Sequence, residues 1–220
     1  MYSFFKRVLD VLFSFIAILV FSPILLLIII VLKFTGEGEV FYLQERVGYK
    51  SKIFKIYKFA TMVKNSPNIG SGDVTLRNDP RVTKAGIFLR SSKLNELPQL
   101  FNILNGSISI IGPRPLMLAG FNRYSKKVKN SIYNVKPGLS GIGSIVFRDE
   151  EKILTDSKLP PHECYEKIIL PHKGELEMWY QDNCSIYLDF ILIFLTIWSV
   201  FFSNSKLYEK FLKNLPKRNF

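Results

Sequence analysis

The longest apolar pattern opens the chain. Val11 to Leu32 carries no charge, and its only polar residues are Ser14 and Ser22. About 20 apolar residues suffice for a transmembrane helix. Pro23, however, sits in the middle of the run, where it removes a backbone hydrogen bond and clashes with the preceding turn. Each half alone rises about 15 Å, half of a hydrocarbon core of about 30 Å. Lys6 and Arg7 precede the run and Lys33 follows it, so the positive-inside rule sets no orientation. Two elements fit: a kinked span, and a re-entrant hairpin that bends at Ser22-Pro23 and leaves on the side it entered. In the hairpin, Ser22 would cap backbone groups that Pro23 frees. The run is too long for a signal peptide, and no small-x-small cleavage site follows it.

A second apolar run, Ile186 to Phe202, is broken by Asp189 and contains Trp198 and four phenylalanines. A basic stretch, Lys206 to Lys217, follows. This pattern predicts an interfacial helix lying in lipid headgroups, with a second span as the alternative.

Between these runs the periodicity is mixed. Val40 to Leu43 and Ile53 to Phe59 read as short strands, and Ser66 to Gly72 as a turn-rich loop. Thr83 to Arg90 predicts a short helix capped by Thr83. Ser92 is a second start signal. Leu97, Leu100, Phe101 and Leu104 follow at helical spacing, and Gly106 closes that helix. Ser107 to Ile111 reads as a strand running into Gly112-Pro113-Arg114-Pro115, and Val135 to Gly141 as a tight turn. The expected fold is mixed α/β, mainly helical with short strands, plus an N-terminal membrane helix, as a re-entrant hairpin or a kinked span, and interfacial amphipathic helices. The expected division is a membrane helix over 1–35, a cytosolic catalytic domain over 36–184, and an interfacial helix with a basic tail over 185–220.

Composition narrows the partners. Hydrophobic residues make up 48% of the 220 residues, and the formal net charge is +12. A basic surface attracts nucleic acid, an anionic membrane leaflet or a phosphorylated substrate. No nucleic-acid-binding module is present, and the apolar runs favour membrane lipids. Cys164 and Cys184 match no metal or redox spacing and read as reduced residues on the cytosolic side; His162 and His172 are too scattered for a metal site.

Phosphoryl transfer demands positioning and charge neutralisation. Mg²⁺ needs a carboxylate, and phosphate oxygens match the planar fork of arginine. Asn95-Glu96-Leu97-Pro98 places a carboxylate in the first turn of the predicted helix, where it would hold a metal or merely complement the helix dipole. Gly112-Pro113-Arg114-Pro115 fixes an arginine on a stiff turn, for substrate or as plain surface. Asp79-Pro80-Arg81 is a paired acid and base or a local Asp turn. The run Arg148 to Glu151 reads as a solvated face.

Together these motifs resemble the bacterial sugar transferases, the monotopic polyprenyl-phosphate phosphoglycosyl transferases, over nearly the whole chain. In order, they are Lys6-Arg7 with Asp10, Ser22-Pro23, Gln44 to Gly48, Tyr57 to Met62, Asp79 to Thr83, and Phe88 to Arg90. Glu96 to Leu100, Ile111 to Pro115 and Pro137 to Gly141 complete the set. The resemblance implies the hairpin, with both termini cytosolic at a bacterial inner membrane. It implies transfer of a phosphosugar from a UDP-sugar to polyprenyl (undecaprenyl) phosphate, with Mg²⁺ and release of UMP, at the start of surface-glycan assembly. It further implies that Glu96 and Asp79 bind metal, and that Arg114, Arg90, Arg81 and Lys58 bind substrate phosphate.

Two positions depart from the family pattern. Asn95 stands where the family has a nucleophilic aspartate, and an amide is a poor nucleophile. Ala60 stands where arginine is usual. Three readings follow: Glu96 as nucleophile, direct attack by the lipid phosphate, or a silent membrane adaptor of a glycan-assembly complex. The stretch Ile142 to Glu151 is the expected determinant of the sugar.

Overall fold

The computed structural model describes residues 1–69, 79–202 and 205–218. Gly70 to Gly72 of the expected turn-rich loop lie outside the described residues. The elements run α1 (Tyr2–Lys33), β1 (Phe41–Val47), β2 (Ile53–Phe59), α2 (Lys84–Ser91), α3 (Gln99–Leu104), β3 (Ser109–Ile111), α4 (Leu118–Asn122) and α5 (Lys126–Ser131). Then come β4 (Gly138–Ser140), α6 (Ile142–Val146), α7 (Glu150–Asp156), α8 (Pro161–Cys164), α9 (Leu170–Asn183), α10 (Ile186–Phe201) and α11 (Tyr208–Phe211). A π-helical turn, Tyr165–Ile169, leads into α9. The fold is thus mixed α/β and mainly helical, with short strands, as the hydrophobic pattern predicts. The strands form two-stranded sheets, β1 with β2 and β3 with β4.

The chain makes two compact units, one of Met1–Asp10, Glu45–Phe54 and Asn105–Phe220, the other of Val11–Gln44 and Lys55–Leu104. α1 contributes to both.

In the first unit, a buried acid of α10 holds the start of α1. Asp189 Oδ2 accepts from Lys6 Nζ at 2.7 Å and from the Tyr2 hydroxyl at 2.9 Å. The Tyr180 hydroxyl donates to Asp189 Oδ1 at 2.7 Å. One turn along α1, buried Asp10 accepts from the Ser109 hydroxyl and the Ile110 N–H, each at 3.0 Å. Asp189, which breaks the second apolar run in sequence, is therefore an anchor inside the fold. Leu188, Leu192, Leu195 and Ser199 share its buried face of α10, while Tyr187, Phe190, Phe194 and Ile197 are exposed. Ile142, Ile169, Leu176 and Leu192 form the centre of this unit's core.

The stretch expected as a tight turn at Val135 to Gly141 contains a strand. β4 runs parallel to β3, with Ser109 opposite Gly138 and Ile111 opposite Ser140. Three residues between a proline and a glycine are too few to show alternation, which is why the sequence reads as a turn. Glycine permits the pairing. A Cβ on Gly138 would lie 2.1 Å from the Gly112 nitrogen, and one on Gly141 2.2 Å from the Gly112 oxygen.

In the second unit, Leu25, Ile28 and Leu32 of α1 pack with Phe59 of β2 and Leu89 of α2. α1 is helical through Pro23. Proline has no N–H to offer the carbonyl four residues back, which here is Leu19. The Ser22 hydroxyl takes that carbonyl at 2.8 Å, as the sequence suggests. Asn102 is fully buried and completes the β2 backbone: its Oδ1 accepts the Tyr57 N–H at 2.8 Å and its Nδ2 donates to the Lys55 carbonyl at 2.9 Å. Phe15, Leu19, Val20, Leu26, Leu27 and Ile30 of α1 are exposed. So large an apolar surface on a helix long enough to cross a bilayer marks a membrane segment.

Candidate active site

The second unit carries most of the residues that the sequence singles out. The Tyr57 to Met62 motif meets the Asp79 to Thr83 motif through its backbone. Met62 and Val82 form an antiparallel bridge, the Val63 N–H donates to the Arg81 carbonyl, and the Thr83 N–H to the Thr61 carbonyl. Thr83 caps α2, its hydroxyl accepting the Gly86 N–H at 3.0 Å, as predicted.

Asp79 and Arg81 are both buried, and each is the other's partner. Arg81 Nε donates to Asp79 Oδ1 at 2.9 Å and Nη2 to Oδ2 at 2.6 Å. Arg81 Nη1 donates to the carbonyls of Ser66 and Ile69, both at 3.0 Å. The Asp79 hydrogen bond raises the Arg81 pKa further, outweighing burial, which pulls it down. This two-pronged pair ties the 66–69 segment to the turn, the local Asp turn that the sequence left open. In this structure the Asp79 carboxylate and the Arg81 guanidinium are engaged with each other.

Arg90 lies in the last turn of α2 and is half-buried. Lys93 then adopts a left-handed conformation, φ 61°, and a 3-10 turn covers Leu94–Glu96. The helix expected to carry Glu96 in its first turn is thus split. Glu96 closes the 3-10 turn, and α3 begins at Gln99, after Pro98. The left-handed residue forces a tight turn, and Pro98, with no N–H to donate, starts a new helix. Asn95 is buried, and its Oδ1 has no hydrogen-bond partner among the described residues. Glu96 is half-exposed, as is Lys58 on β2. Among the described residues no three His, Cys, Asp or Glu side chains converge as a metal cage. Mg²⁺ needs no such cage, because it is commonly held by one or two carboxylates with substrate phosphates and water. Glu96 fits that role.

Arg114 belongs to the first unit. Pro113 and Pro115 on either side are buried, while Arg114 itself is exposed. The loop's backbone is fastened at several points. The Tyr133 hydroxyl donates to the Arg114 carbonyl and accepts the Leu116 N–H, both at 2.9 Å. Arg46 Nη1 donates to the Pro115 carbonyl at 3.1 Å, and the Gly138 N–H to the Pro113 carbonyl at 2.9 Å. Burial pushes the nearby Tyr165 phenol up to about 12 and Glu150 adds to this, while Arg114, Arg123 and Arg46 pull it down. Arg46 sits inside the Gln44 to Gly48 motif; Tyr133 and Tyr165 carry no sequence signal of their own.

The sequence profile of the bacterial sugar transferases matches residues 1–203. The chain is 34% identical to the UDP-N-acetylgalactosamine-undecaprenyl-phosphate N-acetylgalactosaminephosphotransferase of Aeromonas hydrophila, over 89% of this chain and 43% of that protein. It is 36% identical to the UDP-glucose:undecaprenyl-phosphate glucose-1-phosphate transferase of Klebsiella pneumoniae, over 91% of this chain and 41% of that protein. The exopolysaccharide production protein ExoY of Rhizobium meliloti is 32% identical, over 87% of this chain and 83% of that protein. The chain belongs to the bacterial sugar transferase family. It spans about two fifths of the length of the first two relatives.

Proposed function

We propose that the chain transfers a sugar-1-phosphate from a UDP-sugar to undecaprenyl phosphate, releasing UMP, as the first membrane step of surface-glycan assembly. The observation that carries this reading is the match, over about nine tenths of the chain, to relatives named for this transfer. Asn95 is a neutral amide without the negative charge and nucleophilicity of a carboxylate, so in this reading the lipid phosphate itself is the nucleophile. Its oxygen attacks the sugar-bearing phosphorus of the UDP-sugar. The bond from that phosphorus to the bridging oxygen breaks, and the oxygen leaves with UMP. Glu96 would hold Mg²⁺, which neutralises phosphate charge; Arg114, Arg90 and Lys58 would supply further positive charge to the phosphates. A second reading, a silent membrane adaptor, is favoured by Asn95 alone. The purified full chain, given undecaprenyl phosphate, Mg²⁺ and a panel of UDP-sugars, is expected to release UMP with one sugar and only when the lipid is present. Binding of UDP-sugar without release would favour the adaptor.

The same reading puts the protein at the cytosolic face of the bacterial inner membrane, with α1 re-entering the side it left. Support comes from both ends of α1. Lys6 and Asp10 are tied to α10 and β3, and Leu32 packs on Phe59 and Leu89. Basic residues flank the apolar run on both sides, Lys6 and Arg7 before it and Lys33 after it, which suits a segment with both ends on one face of the membrane. α10, with its exposed aromatic residues, lies in the interface. Ser3→Cys and Thr35→Cys, each in a Cys184→Ala background, are expected to react with an impermeant thiol reagent in inverted membrane vesicles and not in intact cells. Labelling of one position from each side would replace the hairpin with a span.

A further inference from the structure

Glu177 on α9 is a buried acid that the transfer reaction does not use. It is 3% exposed. Its carboxyl accepts the backbone N–H groups of Arg114 and Gly143. Oε2 has no partner among the described residues, so Oε1 takes both bonds. Gly143 makes room for this: a Cβ there would lie 2.5 Å from Glu177 Oε1. The Arg114 backbone is therefore held on both sides, its N–H by Glu177 and its carbonyl by Tyr133. Between them, an exposed guanidinium projects from a backbone with little freedom.

We propose that Glu177 is the positioning residue that aims Arg114 at a diphosphate, by fastening the Gly112–Pro115 loop to the start of α6 through one carboxyl oxygen. The inference rests on the reading of Arg114 as a phosphate ligand. Burial, the dominant influence, pushes the Glu177 carboxyl up to about 8, against the opposing pull of Arg114, Lys173 and the two N–H donors. Tyr124 and Tyr133 also face it, and both phenols are themselves pushed up by burial first. At neutral pH the carboxyl is thus protonated, and the two N–H bonds form without an uncompensated charge in the core. Ionisation above about pH 8 leaves a buried charge that only hydration, with opening of the loop, relieves.

The test is UDP affinity of the detergent-solubilised full chain, with Mg²⁺, measured by calorimetry from pH 6.5 to 9.5. In wild type, affinity is expected to fall as pH rises through about 8. Glu177→Gln keeps the acceptor oxygen and cannot ionise, so its affinity at pH 7 should stay within about threefold of wild type and lose that alkaline fall. Glu177→Ala and Arg114→Ala should each weaken UDP binding by about tenfold at pH 7, the scale of a lost charge-assisted hydrogen bond, and the double variant should be no worse than Arg114→Ala. Additive losses, or an alkaline fall that persists in Glu177→Gln, would overturn the positioning role. Unchanged binding in Arg114→Ala would instead remove Arg114 from the phosphate site, and the proposal with it.

Discussion

Glu96→Gln is expected to lower UMP release at least about 10³-fold, the scale seen when a group that stabilises transition-state charge is lost. Glutamine keeps the size and one acceptor oxygen but loses the negative charge that a hard divalent cation requires. Glu96 closes the 3-10 turn after left-handed Lys93, so its backbone is set by a turn that the substitution leaves alone. Fold and stability should therefore be unchanged by circular dichroism while turnover falls. A rate within tenfold of wild type would exclude Glu96 from the reaction. Asn95→Asp is the informative partner. It places a carboxylate at a buried position whose oxygen already lacks a hydrogen bond, at a cost of about 1–3 kcal/mol. If the site is otherwise complete, this variant should accumulate a phosphosugar on the enzyme, seen as an added mass on the intact chain.

The second large effect is structural. Gly138→Ala is expected to cost more than about 4 kcal/mol and to leave little folded protein. The added carbon would lie 2.1 Å from the Gly112 nitrogen and 2.4 Å from the Ser140 oxygen, both backbone atoms that no rotamer change can move. Relief requires β4 to part from β3, and with it the Gly138 bond to Pro113 that holds the arginine loop. Gly120→Ala in α4 is the control, because the nearest atom there is 3.9 Å away. That substitution should be neutral or slightly stabilising, as alanine is the better helix former. Thermal unfolding in detergent compares the two directly, and similar melting temperatures would refute the close-approach argument.

The Gly138 result also shows why one of the motifs was only half legible. Pro137 to Gly141 announces itself by glycine and proline and reads as a turn. Its reason for being glycine lies in a strand pairing with residues 26 or more positions earlier, which no local pattern records. Where the determinant is local, sequence reading succeeds. Ser22 serves the carbonyl freed by Pro23, Thr83 caps α2, and Ile53 to Phe59 forms the strand that its β-branched and aromatic residues predict. Glu177, Asp189 and Asp10 are harder. The role of each comes from N–H or cationic partners brought in by tertiary folding, which its local sequence does not announce. Asp79 and Arg81 are visible as a pair in the sequence, but their burial and the Arg81 bonds to the Ser66 and Ile69 carbonyls come from tertiary folding.

The anchor between Lys6 and Asp189 joins positions 183 residues apart. During synthesis Lys6 emerges well before its acidic partner, which lies near the end of the matched family region. At about 5–20 residues per second, the leading cation waits roughly 10–40 s for its counter-charge. Within that interval Phe59 and Leu89, and then Ser109 and Ile110, become available to α1, so the Lys6–Asp189 pair is the last of these anchors that can close.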